Sequence, residues 1–179
     1  MYSSTIEVIL GPMFSGKSTE LIRRASRYES IGRHVLYINH SLDTRTPEDG
    51  IKTHSDIKKN GIKTDELLKV FSRSMNYDVI CIDEAQFYPD LVAYIKKIEK
   101  YEKIIFIAGL DGDFNREPIG DILYIIPMCD KVTKLNALDS DGSNAIFTKR
   151  IVDSTSKILI GSNDMYRAVN RKNFFRNIN

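Results

Sequence analysis

Apolar runs of strand length alternate with amphipathic stretches along the first 110 positions of this chain. Ile6 to Leu10 is β-branched and apolar, and a Gly-Pro pair stops it, which predicts a strand. From Lys17 to about Glu29, Leu21, Ile22, Ala25 and Tyr28 fall at helical spacing, with Arg23, Arg24 and Arg27 left to face water. HVLYIN, His34 to Asn39, is a second strand, so the opening reads as strand, crossover helix, strand, the unit of a parallel sheet. Residues 41–63 show no clear period and read as an exposed loop. Thr64-Asp65-Glu66 reads as a helix start continued by Leu67 to Met75. YDVICIDE is an apolar strand ending in two carboxylates, and Pro89 suits the first turn of a helix with Leu91, Ile95 and Ile98 on one face. Lys103 to Leu110 completes the series as a buried strand. From about Val132 the pattern changes to short β-like pieces, AIFTKRIV and SKILIG, among Ser, Asp, Gly and Asn. The expectation is an α/β fold: residues 1–134 around a parallel central sheet, and residues 135–179 as a small lobe with little helix.

Bulk numbers narrow the setting. At 179 residues and 42% apolar content the chain suffices for one packed domain with a small appended lobe. Lys and Arg number 26 against 24 acidic residues, so no basic stripe argues for nucleic acid as a partner. Apolar runs such as Ile104 to Ala108 are too short to span a bilayer, and MYSSTIEVILG lacks the regions of a signal peptide. Cys81 and Cys129 sit among apolar neighbours and read as buried thiols of a reducing, cytoplasmic compartment. His34, His40 and His54 lack partners at metal-ligand spacing and read as structural or surface residues.

The chemistry begins at ILGPMFSGKST. Gly11, four residues, then Gly16-Lys17-Ser18 is a phosphate-binding pattern between a predicted strand and a predicted helix. Its glycines let backbone N–H groups turn toward phosphate oxygens at a helix N-terminus; Lys17 adds a point charge and Ser18 a hydroxyl for Mg²⁺. The pattern implies a nucleoside triphosphate donor and leaves the acceptor unstated. Asp83, closing its apolar strand, is the carboxylate expected beside the metal, and Glu84 diverges from it toward a substrate. A hydroxyl nucleophile needs such a carboxylate to orient it and take its proton.

GPMFSGKSTELIRR, DTR at 43–45, IDEAQF, LDGDF at 110–114, FTKR at 147–150 and IGSNDMYRAV together resemble thymidine kinase of the cellular, bacterial and poxvirus type. The likeness runs in order from about residue 6 to 175, and NDMY leans toward the poxvirus branch. It implies a RecA-like phosphate-loop domain with a lasso lobe, and ATP-dependent phosphorylation of the thymidine 5′ hydroxyl in deoxynucleotide salvage. Carried over by position, Gly11, Pro12, Met13, Phe14, Ser15, Gly16, Lys17 and Ser18 would bind the ATP phosphates. Asp43, Thr44 and Arg45 would lie near them, with Arg45 steadying the transferred group. Asp83, through water, and Ser18 would hold magnesium, Glu84 would be the general base, and Gln86 and Phe87 would lie beside donor and acceptor. Phe114 would stack on the pyrimidine, Lys157, Ile158, Leu159, Ile160 and Gly161 would meet it through main chain, and Tyr166 would close over it. The residues alone leave open a core aromatic at Phe114, a surface tyrosine at Tyr166, a solvated charge at Arg45 and a packing role for Met13. The resemblance also implies a homotetramer and thymidine triphosphate as feedback inhibitor.

One departure stands out. The resemblance implies that most members hold the lobe with a structural zinc on two C-x-x-C pairs, and those places fall here at Asp139, Gly142, Asn170 and Asn173. One carboxylate and two neutral amides are a poor zinc set, so none is expected, and DSDG turn chemistry with burial of Phe147, Phe174 and Phe175 should replace it. Asp113 stands where many members carry Thr, and Ser162 where many carry Gly. Two other functions stay open at this point. DNA-stimulated hydrolysis would favour a RecA-like ATPase; the absent zinc ligands leave room for a regulatory nucleotide-binding module that has lost catalysis, against which intact Lys17, Ser18, Asp83 and Glu84 argue.

Overall fold

The computed structural model describes residues 4–43, 50–52, 57–152 and 165–176. The chain opens with β1 (Thr5–Leu10), α1 (Lys17–Glu29) and β2 (Val35–His40). Next come β3 (Gly50–Lys52), β4 (Lys58–Asn60) and β5 (Ile62–Thr64), then a 3₁₀ turn, Leu68–Val70, running into α2 (Phe71–Ser74). β6 (Val79–Ile82), a 3₁₀ turn at Ala85–Phe87, α3 (Leu91–Ile98), β7 (Ile104–Gly109), a 3₁₀ segment at Ile122–Met128 and β8 (Lys131–Lys134) complete the larger part. Six strands form one parallel sheet in the order β5-β2-β6-β7-β1-β8.

Side chains of neighbouring strand residues leave opposite faces of the sheet, so its two faces carry separate apolar layers. Ile6, Val8 and Leu10 pack with Ile80, Ile82, Ile105 and Ile107 under α3 and the Ile122–Met128 segment. Ile9, Cys81, Phe106 and Ala108 pack with Leu21, Ile22 and Ala25 of α1 on the other face. The α/β class and parallel sheet are as expected from the pattern, and α1 has the expected limits.

Several expectations change. Residues 41–63 are not simply a loop: β3 and β4 pair antiparallel, and β5 joins the edge of the main sheet beside β2. A Cβ on Gly61 would lie 2.2 Å from the Tyr37 carbonyl, a close approach that only glycine allows. Thr64 ends β5 rather than starting a helix. The helical turns begin at Leu68, where Asp90 accepts the N–H groups of Leu67 and Leu68 at 3.0 and 2.7 Å. That cap comes from more than twenty residues away, so no local pattern reveals it. Pro89 precedes the Asp90 N-cap and lies outside α3.

Arg24 does not face water. It is 7% exposed and bonds Glu7 at 2.6 Å, Glu20 at 2.8 Å and Thr133 at 3.0 Å, tying α1 to β1 and β8 with its buried charge fully paired. Cys81 is buried as expected, whereas Cys129 is half-buried; both are free thiols.

The remainder is built of short pieces: β9 (Ala137–Leu138) with β10 (Asn144–Ala145), β11 (Phe147–Arg150) with β12 (Tyr166–Val169), both pairs antiparallel, and α4 (Arg171–Phe175). It touches the larger part where Thr148 Oγ1 accepts the Met13 N–H at 2.9 Å.

Candidate active site

Every described candidate residue outside the lobe lies at or just beyond the carboxyl end of a parallel strand, the edge where open α/β sheets receive ligands. The loop after β1 turns through Gly11 at φ 153°, Phe14 at φ 64° and Gly16 at φ 81°. A Cβ on Gly11 would meet the Leu135 carbonyl at 2.6 Å and Ser15 Oγ at 2.7 Å, so a side chain there would break the curl. Ser15 Oγ and Lys17 Nζ both donate to the Pro12 carbonyl, at 2.8 and 2.7 Å, which ties the loop to itself. Gly16 caps α1 without a side-chain hydrogen bond, and Ser18 lies in the first turn. This is a backbone cradle for anionic oxygens at the positive end of a thirteen-residue helix.

Beyond β2, Asp43 is 6% exposed and accepts from Asn39 Nδ2 at 2.9 Å, while Lys63 Nζ donates to its carbonyl at 2.9 Å. Thr44 and Arg45 lie outside the described residues, as do Lys157, Ile158, Leu159, Ile160 and Gly161. His40 is buried against Phe87 and Tyr88, with ring centroids 5.6 and 4.8 Å away, and burial lowers its pKa. Phe87 thus packs on the β2 end.

The two carboxylates after β6 are held differently. Asp83 is 2% exposed; its N–H donates to the Ile38 carbonyl at 2.9 Å and its Oδ1 accepts the Glu84 N–H at 3.0 Å. Glu84 takes a left-handed conformation, φ 52° and ψ 39°, which costs a non-glycine residue about 1 kcal/mol and turns its side chain away from the strand direction. Gln86 Nε2 donates to Glu84 Oε2 at 2.8 Å, and Gln86 Oε1 accepts the Leu110 N–H at 2.9 Å. Gln86 is itself 4% exposed. Space around it exists only because Gly109 and Gly120 lack side chains: their Cβ atoms would lie 2.6 Å from its Oε1 and 1.9 Å from its carbonyl oxygen.

Beyond β7, Asp113 Oδ1 accepts from Asn115 and Glu117 N–H groups at 2.8 and 2.9 Å and shapes the turn that carries Phe114. The Arg150 guanidinium carbon sits 3.7 Å from the Phe114 ring centroid, and Arg150 Nη2 donates to the Tyr166 hydroxyl at 3.1 Å. Tyr166 is 7% exposed, so it is no surface tyrosine. A cleft lined by lobe residues, among them Asp139, Lys149, Ile151, Tyr166 and Asn173, reaches the phosphate loop at Phe14; Glu84 and Phe114 do not line it. The sequence assigns Thr148 and Arg150 no role beyond their place in FTKR; their signal is the period of β11, which puts both on the face toward the larger part.

The four zinc-pair positions do converge. Asp139 Oδ2 accepts the Asn170 N–H at 2.7 Å and Asn173 Nδ2 at 3.0 Å, and the Asn170 side chain caps α4 by accepting the Asn173 N–H at 2.7 Å. Asn170 Nδ2 also donates to Asp141 and Ser143, at 3.2 and 2.8 Å. These groups spend their polar atoms on one another, and no thiolate or imidazole is among them, so they do not fit zinc. Phe147 and Phe174 pack at 5.2 Å but are only half-buried, and Phe175 is 62% exposed, so none of the three is buried as expected.

A family profile described as Thymidine kinase matches residues 4–174. The chain is 39% identical over 176 residues to thymidine kinase of Myxoma virus (strain Uriarra), covering 98% of each chain. It is 40% identical over 173 residues to that of Vaccinia virus (strain Ankara), covering 96% of this chain and 97% of the relative. Against thymidine kinase of Sheeppox virus (strain KS-1) the identity is 41% over 171 residues, 95% and 96% of the two chains. Among solved structures, the genome packaging NTPase B204 from Sulfolobus turreted icosahedral virus 2 in complex with sulfate matches with a TM-score of 0.48 and 17% identity, over 79% of this chain and 78% of that one.

Proposed function

The chain belongs to the thymidine kinase family, and from that premise we propose how its own residues carry out the reaction. It is a kinase that transfers the γ-phosphoryl group of ATP to the 5′ hydroxyl of thymidine, giving thymidine monophosphate and ADP. The observation that carries this reading is the convergence of three loops at one sheet edge: the phosphate loop after β1, Asp83-Glu84 after β6, and the Phe114 turn after β7.

Backbone N–H groups from Gly11 to Ser18 cradle the donor phosphates, and Lys17 turns from the Pro12 carbonyl to the transferred group. Glu84 accepts a hydrogen bond from the 5′ hydroxyl, aims its oxygen at phosphorus and receives its proton as the new P–O bond forms and the bond to ADP breaks. The transition state is loose, so most of that contribution is orientation. Ser18 and Asp83 are hard oxygen donors that suit Mg²⁺, which when bound neutralises charge on the phosphates. Phe114 and Tyr166 form the walls of the pyrimidine site. The same reading expects Arg45 on the transferred group, main chain of 157–161 on the base, thymidine triphosphate as inhibitor, a homotetramer and a cytoplasmic setting without nucleic acid.

ADP release from Mg·ATP, followed with thymidine, with deoxycytidine and with neither, tests the reaction. Thymidine-dependent turnover is the expected result, and equal rates without nucleoside overturn the reading. Glu84→Gln keeps ATP binding and loses turnover by about 100-fold or more; a fully active variant would remove Glu84 from the mechanism.

A further inference from the structure

Arg150 joins two aromatic walls that come from distant parts of the chain. β11 alternates: Phe147 and Lys149 face α4, where Lys149 Nζ donates to the carbonyls of Asn173, Phe174 and Arg176 at 3.2, 3.0 and 2.7 Å. Thr148 and Arg150 leave the opposite face. Thr148 Oγ1 meets the phosphate loop at Met13 N–H, and the Arg150 guanidinium covers the Phe114 ring at 3.7 Å. In the β11–β12 register Arg150 stands opposite Tyr166, and its Nη2 reaches the Tyr166 hydroxyl at 3.1 Å. One cation therefore lies over a ring of the β7 turn at 3.7 Å and within 5.5 Å of the Tyr166 ring centroid, while its Nη2 binds the phenol of the lobe. A guanidinium makes both contacts from one rigid, planar fork; an ammonium can lie over a ring but has no plane that fixes the two partners relative to each other.

We propose that Arg150 is a positioning residue for the nucleoside: it sets the spacing and tilt between Phe114 and Tyr166, and so the width of the pyrimidine slot. The inference rests on the assignment of those two rings as the walls of the site. Its consequence is a change in thymidine binding with the phosphoryl-transfer step left intact, because Arg150 touches the rings and not the reacting atoms.

Steady-state kinetics with thymidine and ATP varied separately test this. Arg150→Met, similar in length but without cation or plane, raises the thymidine KM about tenfold while kcat and the ATP KM stay within about twofold. Arg150→Lys keeps the charge and leaves the thymidine KM raised by at least about threefold. Tyr166→Phe removes only the hydroxyl and raises the thymidine KM by a factor of about three; combined with Arg150→Met it adds nothing further, whereas general loosening of the lobe would multiply the two effects. Should Arg150→Met fail to fold, Tyr166→Phe decides alone: an unchanged thymidine KM overturns the proposal. Phe114→Ala separates the two levels of the argument. If it leaves the thymidine KM unchanged, the wall assignment falls and this inference falls with it. If Phe114→Ala raises that KM and Arg150→Met leaves it unchanged or lowers it, only the role of Arg150 is overturned, and a lowered value marks the guanidinium as a rival for the ring face.

Discussion

Glu84 carries its carboxylate on a strained left-handed backbone, and Gln86 is the neighbour that holds it there. The amide bridges two elements: its nitrogen binds the Glu84 carboxylate and its oxygen takes the first N–H after β7. Replacing it with leucine removes the donor that aims Glu84 and leaves the half-buried Leu110 N–H without this acceptor. Gln86→Leu is therefore expected to lower kcat about tenfold or more, with the ATP KM changed far less. The informative measurement is the double variant. In a Glu84→Gln background the added leucine should cost less than about twofold, since the carboxylate it served is gone; full additivity would mean that Gln86 acts on the fold alone. Both residues are legible in IDEAQF as site residues. Their hydrogen bond is not, because residues two apart face each other only through the left-handed turn at Glu84 and the 3₁₀ turn after it.

The short elements of the lobe depend on a polar knot. α4 is five residues long and exposes Phe175, too little apolar burial to hold a helix by itself. Asp139 supplies the missing fixation, accepting from Asn170 and Asn173 across the lobe and from the N–H of Ser140. Burial raises the pKa of its carboxyl, yet these hydrogen bonds outweigh burial and the net shift is downward. A folded-state pKa below the unfolded one means stability that is present above the ordinary carboxylate range and lost as the pH falls through the folded value. Asp139→Ala should thus cost about 1–3 kcal/mol near neutral pH. Thermal melts in a pH series should show the gap between wild type and variant closing below about pH 4; a gap that widens on acidification would contradict this. Elsewhere legibility follows the range of the contacts. α1 and strands β1, β6 and β7 are buried along whole faces, so hydrophobic period alone marks them. β3, β4 and β5 are three residues each and rich in lysine, and the turn at Leu68 is capped by Asp90, so only the folded chain identifies them.

At the scale of the molecule, the proposed reaction requires the lobe to sit on the phosphate loop, and the family resemblance implies a metal as the organiser of that lobe. Here the seat is direct: Thr148 on Met13, the Leu135 N–H on the Leu10 carbonyl at 2.8 Å, and the Leu135 carbonyl closing over Gly11. Arg24 locks α1 to the two strands beneath it, so the loop is braced from the other side. The departure at Asp139, Gly142, Asn170 and Asn173 is plain in the sequence; that the same positions still meet, with amides donating to a carboxylate, needed the fold. In this arrangement a zinc ion would have to strip Asp139 of two hydrogen bonds and draw on neutral amide oxygens, of which Asn170 Oδ1 already accepts the Asn173 N–H, a poor exchange for a metal that favours thiolate and imidazole. Dialysis against a strong chelator, followed by return to fresh magnesium, should leave the melting temperature within about 1 °C and thymidine turnover unchanged. Under the same treatment Asp139→Ala should melt several degrees below wild type with or without chelator, as expected when hydrogen bonds rather than a metal hold the lobe. Stoichiometric zinc in the purified protein, or a chelator-induced fall in wild-type melting temperature as large as that of Asp139→Ala, would show that a metal and not this knot organises the nucleoside lobe.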